Sequence, residues 1–103
     1  MASLGYGYYP THPGELVNDE LEARGISQRK FAEAIGVSPT ALNEMLKGRR
    51  SISPATALLF EATLDIPADA LVKLQMKYNM HEALKDPSIM ERIKKISRTA
   101  TVL

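Results

Sequence analysis

The feature that most constrains this chain is a twenty-residue run, Gln28-Arg-Lys-Phe-Ala-Glu-Ala-Ile-Gly-Val-Ser-Pro-Thr-Ala-Leu-Asn-Glu-Met-Leu-Lys47. Phe31, Ala32 and Ile35 recur on one side of a first short helix, and Leu42, Met45 and Leu46 on one side of a second. Between them Gly36 stops the first helix, Val37 points inward, Ser38 caps the second and Pro39 sits in its first turn. Helices joined by so short a connection cross at a steep angle. Ala32 has the small side chain that a close crossing needs, and Gly36 reaches positive φ without steric cost. The run therefore predicts a helix-turn-helix whose second helix keeps an apolar side for the core and a polar side outward.

The rest of the chain reads as further helices around this unit. Pro13 starts the first, with His12 as a helix-start residue and Glu15 where a carboxylate meets free N–H groups and the positive end of the helix dipole. Leu16, Val17 and Leu21, with the stem of Glu20, line its inner side, and Gly25 ends it. Ser27 caps the second helix, and Gly48 ends the third. Ser53 caps a fourth that opens with Pro54, and Ala57, Leu58, Phe60, Glu61 and Leu64 make it apolar enough for a core or a dimer contact. Pro67 opens a fifth, predicted over residues 68–85. Its Leu71, Leu74, Met76, Tyr78 and Met80 form no single stripe, so it is expected to be covered on more than one side. Met76, Met80 and Met90 are expected to fill gaps in the core.

Pro87 ends the fifth helix, and Ser88 caps a last short one in which Ile89, Ile93 and Ile96 keep a helical period. No strand-like alternation competes. The expected fold class is all-α: a five-helix body with an additional short C-terminal helix. The domain reading is an N-terminal arm over residues 1–11, a helix-turn-helix and dimerisation domain over 12–85, and a basic tail helix over 86–103. The arm carries Tyr6, Tyr8, Tyr9 and Pro10; it is either a loose terminus or an aromatic arm that packs on a partner. The tail either packs on its own domain or dimer mate, or touches phosphates or a partner.

A chain of 103 residues fits one domain. At that size folding buries a smaller share of the surface than in a large enzyme, so dimerisation helps. The absence of cysteine excludes a disulfide scaffold or thiol-based site and fits a reducing cytoplasm. His12 and His81 fall in different elements, and no His/acid spacing resembles a metal site. The Gly5–Gly7 pair follows no strand, so it is no phosphate loop. An enzyme, a cofactor and a metal are therefore not expected. No apolar run approaches the roughly 20 residues of a membrane span, and the N-terminus lacks the basic start and apolar stretch of a signal peptide. The net charge of +1 is low for a nucleic-acid-binding domain. Its distribution says more: Lys47, Arg49 and Arg50 cluster with no acid between Glu44 and Glu61, and Arg92, Lys94, Lys95 and Arg98 form a second cluster.

The outward side of the predicted recognition helix carries Thr40, Asn43, Glu44 and Lys47, with Ser38 at its start. Such a helix enters the major groove of double-stranded DNA with its N-terminal residues toward base edges. Asn pairs bidentately with adenine, Thr meets a thymine methyl, and Lys reaches guanine or a phosphate. Glu44 repels phosphates but can accept from a cytosine amino group. Ser27 and Gln28, at the start of the preceding helix, suit phosphate contacts. Arg49 and Arg50 are natural contacts to the DNA backbone.

With these residues in view, the chain resembles the Cro/C1-type (Xre) repressors, and more closely the HigA antitoxins of toxin–antitoxin modules. The resemblance rests on the helix-turn-helix, on Thr11-His-Pro-Gly-Glu15, on Glu20-Leu-Glu-Ala-Arg-Gly-Ile-Ser-Gln28, on Leu46-Lys-Gly-Arg-Arg-Ser-Ile-Ser53, and on Ala57-Leu58 with Leu74-Gln-Met-Lys-Tyr78. It covers residues 11–80; the aromatic arm and the basic tail lie outside it. The resemblance implies dimerisation through the C-terminal half, binding to a palindromic operator in the module's own promoter, and a HigB-type mRNA-cleaving toxin as partner. It also implies groove-facing positions at Ser38, Thr40, Asn43 and Lys47, and a phosphate-facing one at Gln28. Two alternatives stay open: a stand-alone Xre-type repressor without a toxin, and a protein-interaction module on the same fold, which the near-neutral charge and Glu44 keep alive.

Overall fold

The computed structural model describes residues 11–102, so the reading of residues 1–10 as an arm lies outside the described residues. Six helices follow one another: α1 Pro13–Ala23, α2 Gln28–Ile35, α3 Pro39–Leu46, α4 Pro54–Leu64, α5 Ala68–Leu84 and α6 Pro87–Val102. No strand occurs among the described residues. The all-α expectation and the boundaries of the helix-turn-helix both hold. Ser27, Ser38 and Ser53 each cap a helix, their hydroxyl oxygens accepting from the N–H groups of Lys30, Ala41 and Thr56.

The core is one cluster. Val17 and Leu21 from α1, Phe31 and Ala32 from α2, Leu42, Met45 and Leu46 from α3, Ala57, Phe60 and Leu64 from α4, and Leu71 from α5 are all buried. Phe31 stacks on Phe60 with ring centroids 5.9 Å apart, which ties α2 to α4. Arg24 braces the same junction: its guanidinium donates to the Leu64 carbonyl at 2.8 Å while pairing with Glu20 at 3.0 Å. A cation there also meets the negative end of α4.

The α2–α3 turn works as its sequence requires. Gly36 has φ +75°, its N–H donates to Glu33, and the Val37 N–H donates to Ala32. Both bonds satisfy carbonyls that the end of α2 would otherwise leave unpaired. A second glycine has another purpose. Gly14 lies in α1 where that helix meets the end of α3; a Cβ there would strike the Met45 carbonyl oxygen and come within 2.9 Å of the Leu46 Cα. Next to it the His12 ring lies over Gly48 and meets Tyr78 edge-on, with centroids 5.5 Å apart. Buried Gln75 accepts from the Ile52 N–H at 2.8 Å and donates to Asn79 at 3.0 Å, which pins the segment after α3 to α5.

Four expectations need correction. Leu16 is exposed, because the inner side of α1 is Pro13, Gly14, Val17 and Leu21. Met76, Met80 and Met90 are exposed rather than gap fillers (Met76 at 64%): α5 buries Ala68, Leu71 and Gln75 instead, and Met90 lies on α6, where no side chain over residues 87–100 is buried. The last helix is not short: α6 spans 16 residues, has α5 as its principal neighbour, and stretches the molecule to 57 × 27 × 20 Å. Asp86, not Ser88, caps it by accepting from the Ser88 hydroxyl and N–H. Those hydrogen bonds, the hydroxyl's foremost, hold the Asp86 carboxyl below its usual 3.8.

Gly14→Ala is expected to destabilise the fold. An alanine gains about 1 kcal/mol of helix propensity, but an added methyl in a full site costs about 1–3 kcal/mol, and here the obstacle is backbone. Thermal unfolding should show a Tm below that of the parent; an unchanged or higher Tm would show that α1 and α3 separate freely.

Candidate nucleic-acid interface

The N-terminal ends of α2 and α3 lie side by side. Gln28, Arg29, Pro39, Thr40 and Asn43 line a shallow open depression between them. Ser38, Thr40 and Lys47 are exposed, and Asn43 is half-buried. Ser27 and Ser38 stand at the two helix starts, where their side-chain oxygens are engaged as caps. The remaining first-turn N–H groups of a helix have no intrahelical partner and point toward an incoming anion.

Asn43 is not an isolated side chain. Its Nδ2 donates to Gln28 Oε1 at 3.2 Å, joining the middle of α3 to the start of α2. Gln28 Nε2 in turn donates to Asn18 Oδ1 at 3.4 Å, and Asn18 Nδ2 donates to Glu22 Oε2 at 3.3 Å. The sequence reading found Gln28 and Asn43 but missed that they touch each other. It also missed Asn18 and Arg29. Arg29 was legible as part of the Gln28-Arg29-Lys30 run at a helix start; Asn18 was not, because its role comes from the way α1 crosses α2.

The electrostatics explain how Glu44 sits within a cationic rim. Arg50 donates to Glu44 Oε1 from Nε at 2.9 Å and from the terminal nitrogen at 2.7 Å. The pair cancels the repulsion that Glu44 would offer to phosphates, and occupies the charge of Arg50 with it. Both side chains are well exposed, so the bond contributes little to stability; its effect is on the local field. Lys47 and Arg49 are exposed beside it.

A family model described as Helix-turn-helix (HTH_3) matches residues 18–71, which takes in α2, α3 and α4 with their flanks. The chain belongs to this Xre-type helix-turn-helix family. Members are DNA-binding regulators rather than enzymes, and the five-helix body is the Cro/C1-like fold. The chain is 31% identical over 90 residues to Virulence-associated protein I of Dichelobacter nodosus, covering 86% of this chain and 83% of that protein. It is 30% identical to the Pseudomonas aeruginosa antitoxin HigA solved with the higBA promoter, at a TM-score of 0.71 over 84% of this chain and 92% of that one. An addiction module antidote protein of the HigA family from Coxiella burnetii is 28% identical, at a TM-score of 0.70 over 85% of this chain and 95% of that one. This chain is thus a DNA-binding helix-turn-helix protein of antitoxin-like fold. No helix among the described residues is long and apolar enough to cross a membrane.

Glu44→Gln is expected to release Arg50 and raise affinity for duplex DNA of any sequence. Freeing one cation for a phosphate should steepen the slope of log K against log salt by about 0.9. Titrations at several salt concentrations would show it, and an unchanged slope would place Arg50 away from the DNA.

Proposed function

We propose that this protein is an autorepressing antitoxin that binds its own operator as a homodimer and neutralises a HigB-type toxin. The observation that carries the reading is the likeness to HigA antitoxins over most of both chains, combined with an open polar edge on α3. In this reading Thr40 and Asn43 meet base edges, with Ser38 at the mouth of the groove. Ser27, Gln28, Lys47 and Arg49 hold phosphates, and Arg29 joins them. Arg50 contributes once Glu44 is accommodated. A two-fold dimer sets its recognition helices about 34 Å apart, one turn of the double helix, so that each reads half of a palindrome. The pairing of Glu44 with Arg50 weakens the case for an interaction module that has lost DNA binding, since the acid no longer opposes phosphates.

The antitoxin assignment is tested by tagging this chain and co-expressing it with the small reading frame beside its gene. A co-purifying partner together with rescued growth is the expected result. Tight, salt-sensitive binding to its own promoter without any partner would leave a stand-alone repressor. The base-reading assignment has its own test. Asn43→Ala should relax base preference at one position per half-site, whereas Arg49→Ala should weaken all duplexes alike. Identical behaviour of the two variants would remove Asn43 from the reading face.

A further inference from the structure

The hydrogen bonds that run from Asn43 back into α1 have a direction, and the direction has a consequence for recognition. A side-chain amide carries a donor on one side and an acceptor on the other, and either side can face either way. The line ends at Glu22, a carboxylate that only accepts. Asn18 therefore turns its amino group to Glu22 and its carbonyl to Gln28. Gln28 turns its amino group to Asn18 and its carbonyl to Asn43. Asn43 is left with its amino group on the Gln28 side and its carbonyl oxygen on the other.

From this we infer that Asn18, backed by Glu22, is a positioning residue for specificity: it sets which way the Asn43 amide faces the groove. Bidentate recognition of adenine needs a donor opposite N7 and an acceptor opposite the N6 amino group, in that order along the base edge. An amide turned over presents the reverse order and fits no adenine in the same place. One hydrogen of Asn43 Nδ2 is engaged by Gln28, and the second, with Oδ1, is available to a base. Asn18 needs no contact with DNA. It acts through two hydrogen bonds, from a helix that carries four acids and no base over Pro13–Ala23 and so offers little to phosphates itself. The inference rests on Asn43 as a base reader and specifies what holds that reader in register.

The experiment is selection of bound duplexes from a pool randomised around the operator, sequenced for the parent and for four variants. Asn43→Ala locates the position that Asn43 reads. Asn18→Ala removes the acceptor for Gln28, and it should lose most of the discrimination at that same position, on the order of tenfold. Its affinity for unrelated duplexes should stay within about twofold, which a general loosening of the fold would not allow. Asn18→Asp keeps an acceptor toward Gln28 and should retain the preference. Exposed Glu22→Ala frees the end of the line and should lose part of it; if Asn18→Ala fails to fold by circular dichroism, this variant decides. Full discrimination in Asn18→Ala, or in Glu22→Ala where it must decide, overturns the inference while leaving Asn43 as a reader. An unchanged preference in Asn43→Ala overturns both.

Discussion

The contact on which the rest of the structure depends is the seating of α1 on the last turn of α3. A recognition helix of eight residues cannot hold its own orientation, since so short a helix is marginal in isolation. Its own Leu42, Met45 and Leu46 sink its apolar side into the core. Gly14 brings backbone against backbone at its last turn, and the His12 ring over Gly48 closes the gap beside it. Tyr78 of α5 backs the ring, and Gln75 holds the segment that leaves α3. The end of α3 is thus clamped from α1 and α5 together, while its N-terminal turn stays exposed.

The same arrangement gives the interface a division of labour. In the proposed reading, charges at the edge set how strongly any duplex is held, and the paired Glu44 and Arg50 temper that grip in a protein whose net charge is only +1. In the same reading, amides in the middle set which duplex is held. Side chains of the two kinds sit on the same short helix, but they are fixed by different neighbours: Glu44 by the segment that follows α3, Asn43 by α2 and, through it, α1.

Much of this was legible from residue types. Short helices flanked by serine caps and glycine stops are local grammar, and Ser27, Ser38, Ser53 and Gly36 did in the fold what their chemistry dictates. The polar residues Thr40, Asn43 and Lys47 came out on the open side because helical period alone places them there. What escaped the sequence was whatever depends on two distant segments meeting. His12 and Gly14 read as a helix start, and Gln75 and Tyr78 as part of a helix without a clean stripe; only their meeting explains both. The methionines misled for a related reason. Met76 and Met80 are apolar, but burial is decided by which side of α5 the other helices occupy, and Gln75 takes the inner place because the Ile52 N–H needs an acceptor there.

The sixth helix leans on α5 and extends beyond the body, while the side chains that hold Asn43 come from α1 and α2. A substitution at Ile93 or Ile96, both exposed, disturbs no side chain that positions Asn43. The two ends of the molecule can therefore drift through sequence space at separate speeds. If α3 reads DNA as proposed, a lineage could replace or recharge its tail many times while the duplex it reads stayed the same, and descendants could come to differ in what they touch without differing in where they sit on the chromosome.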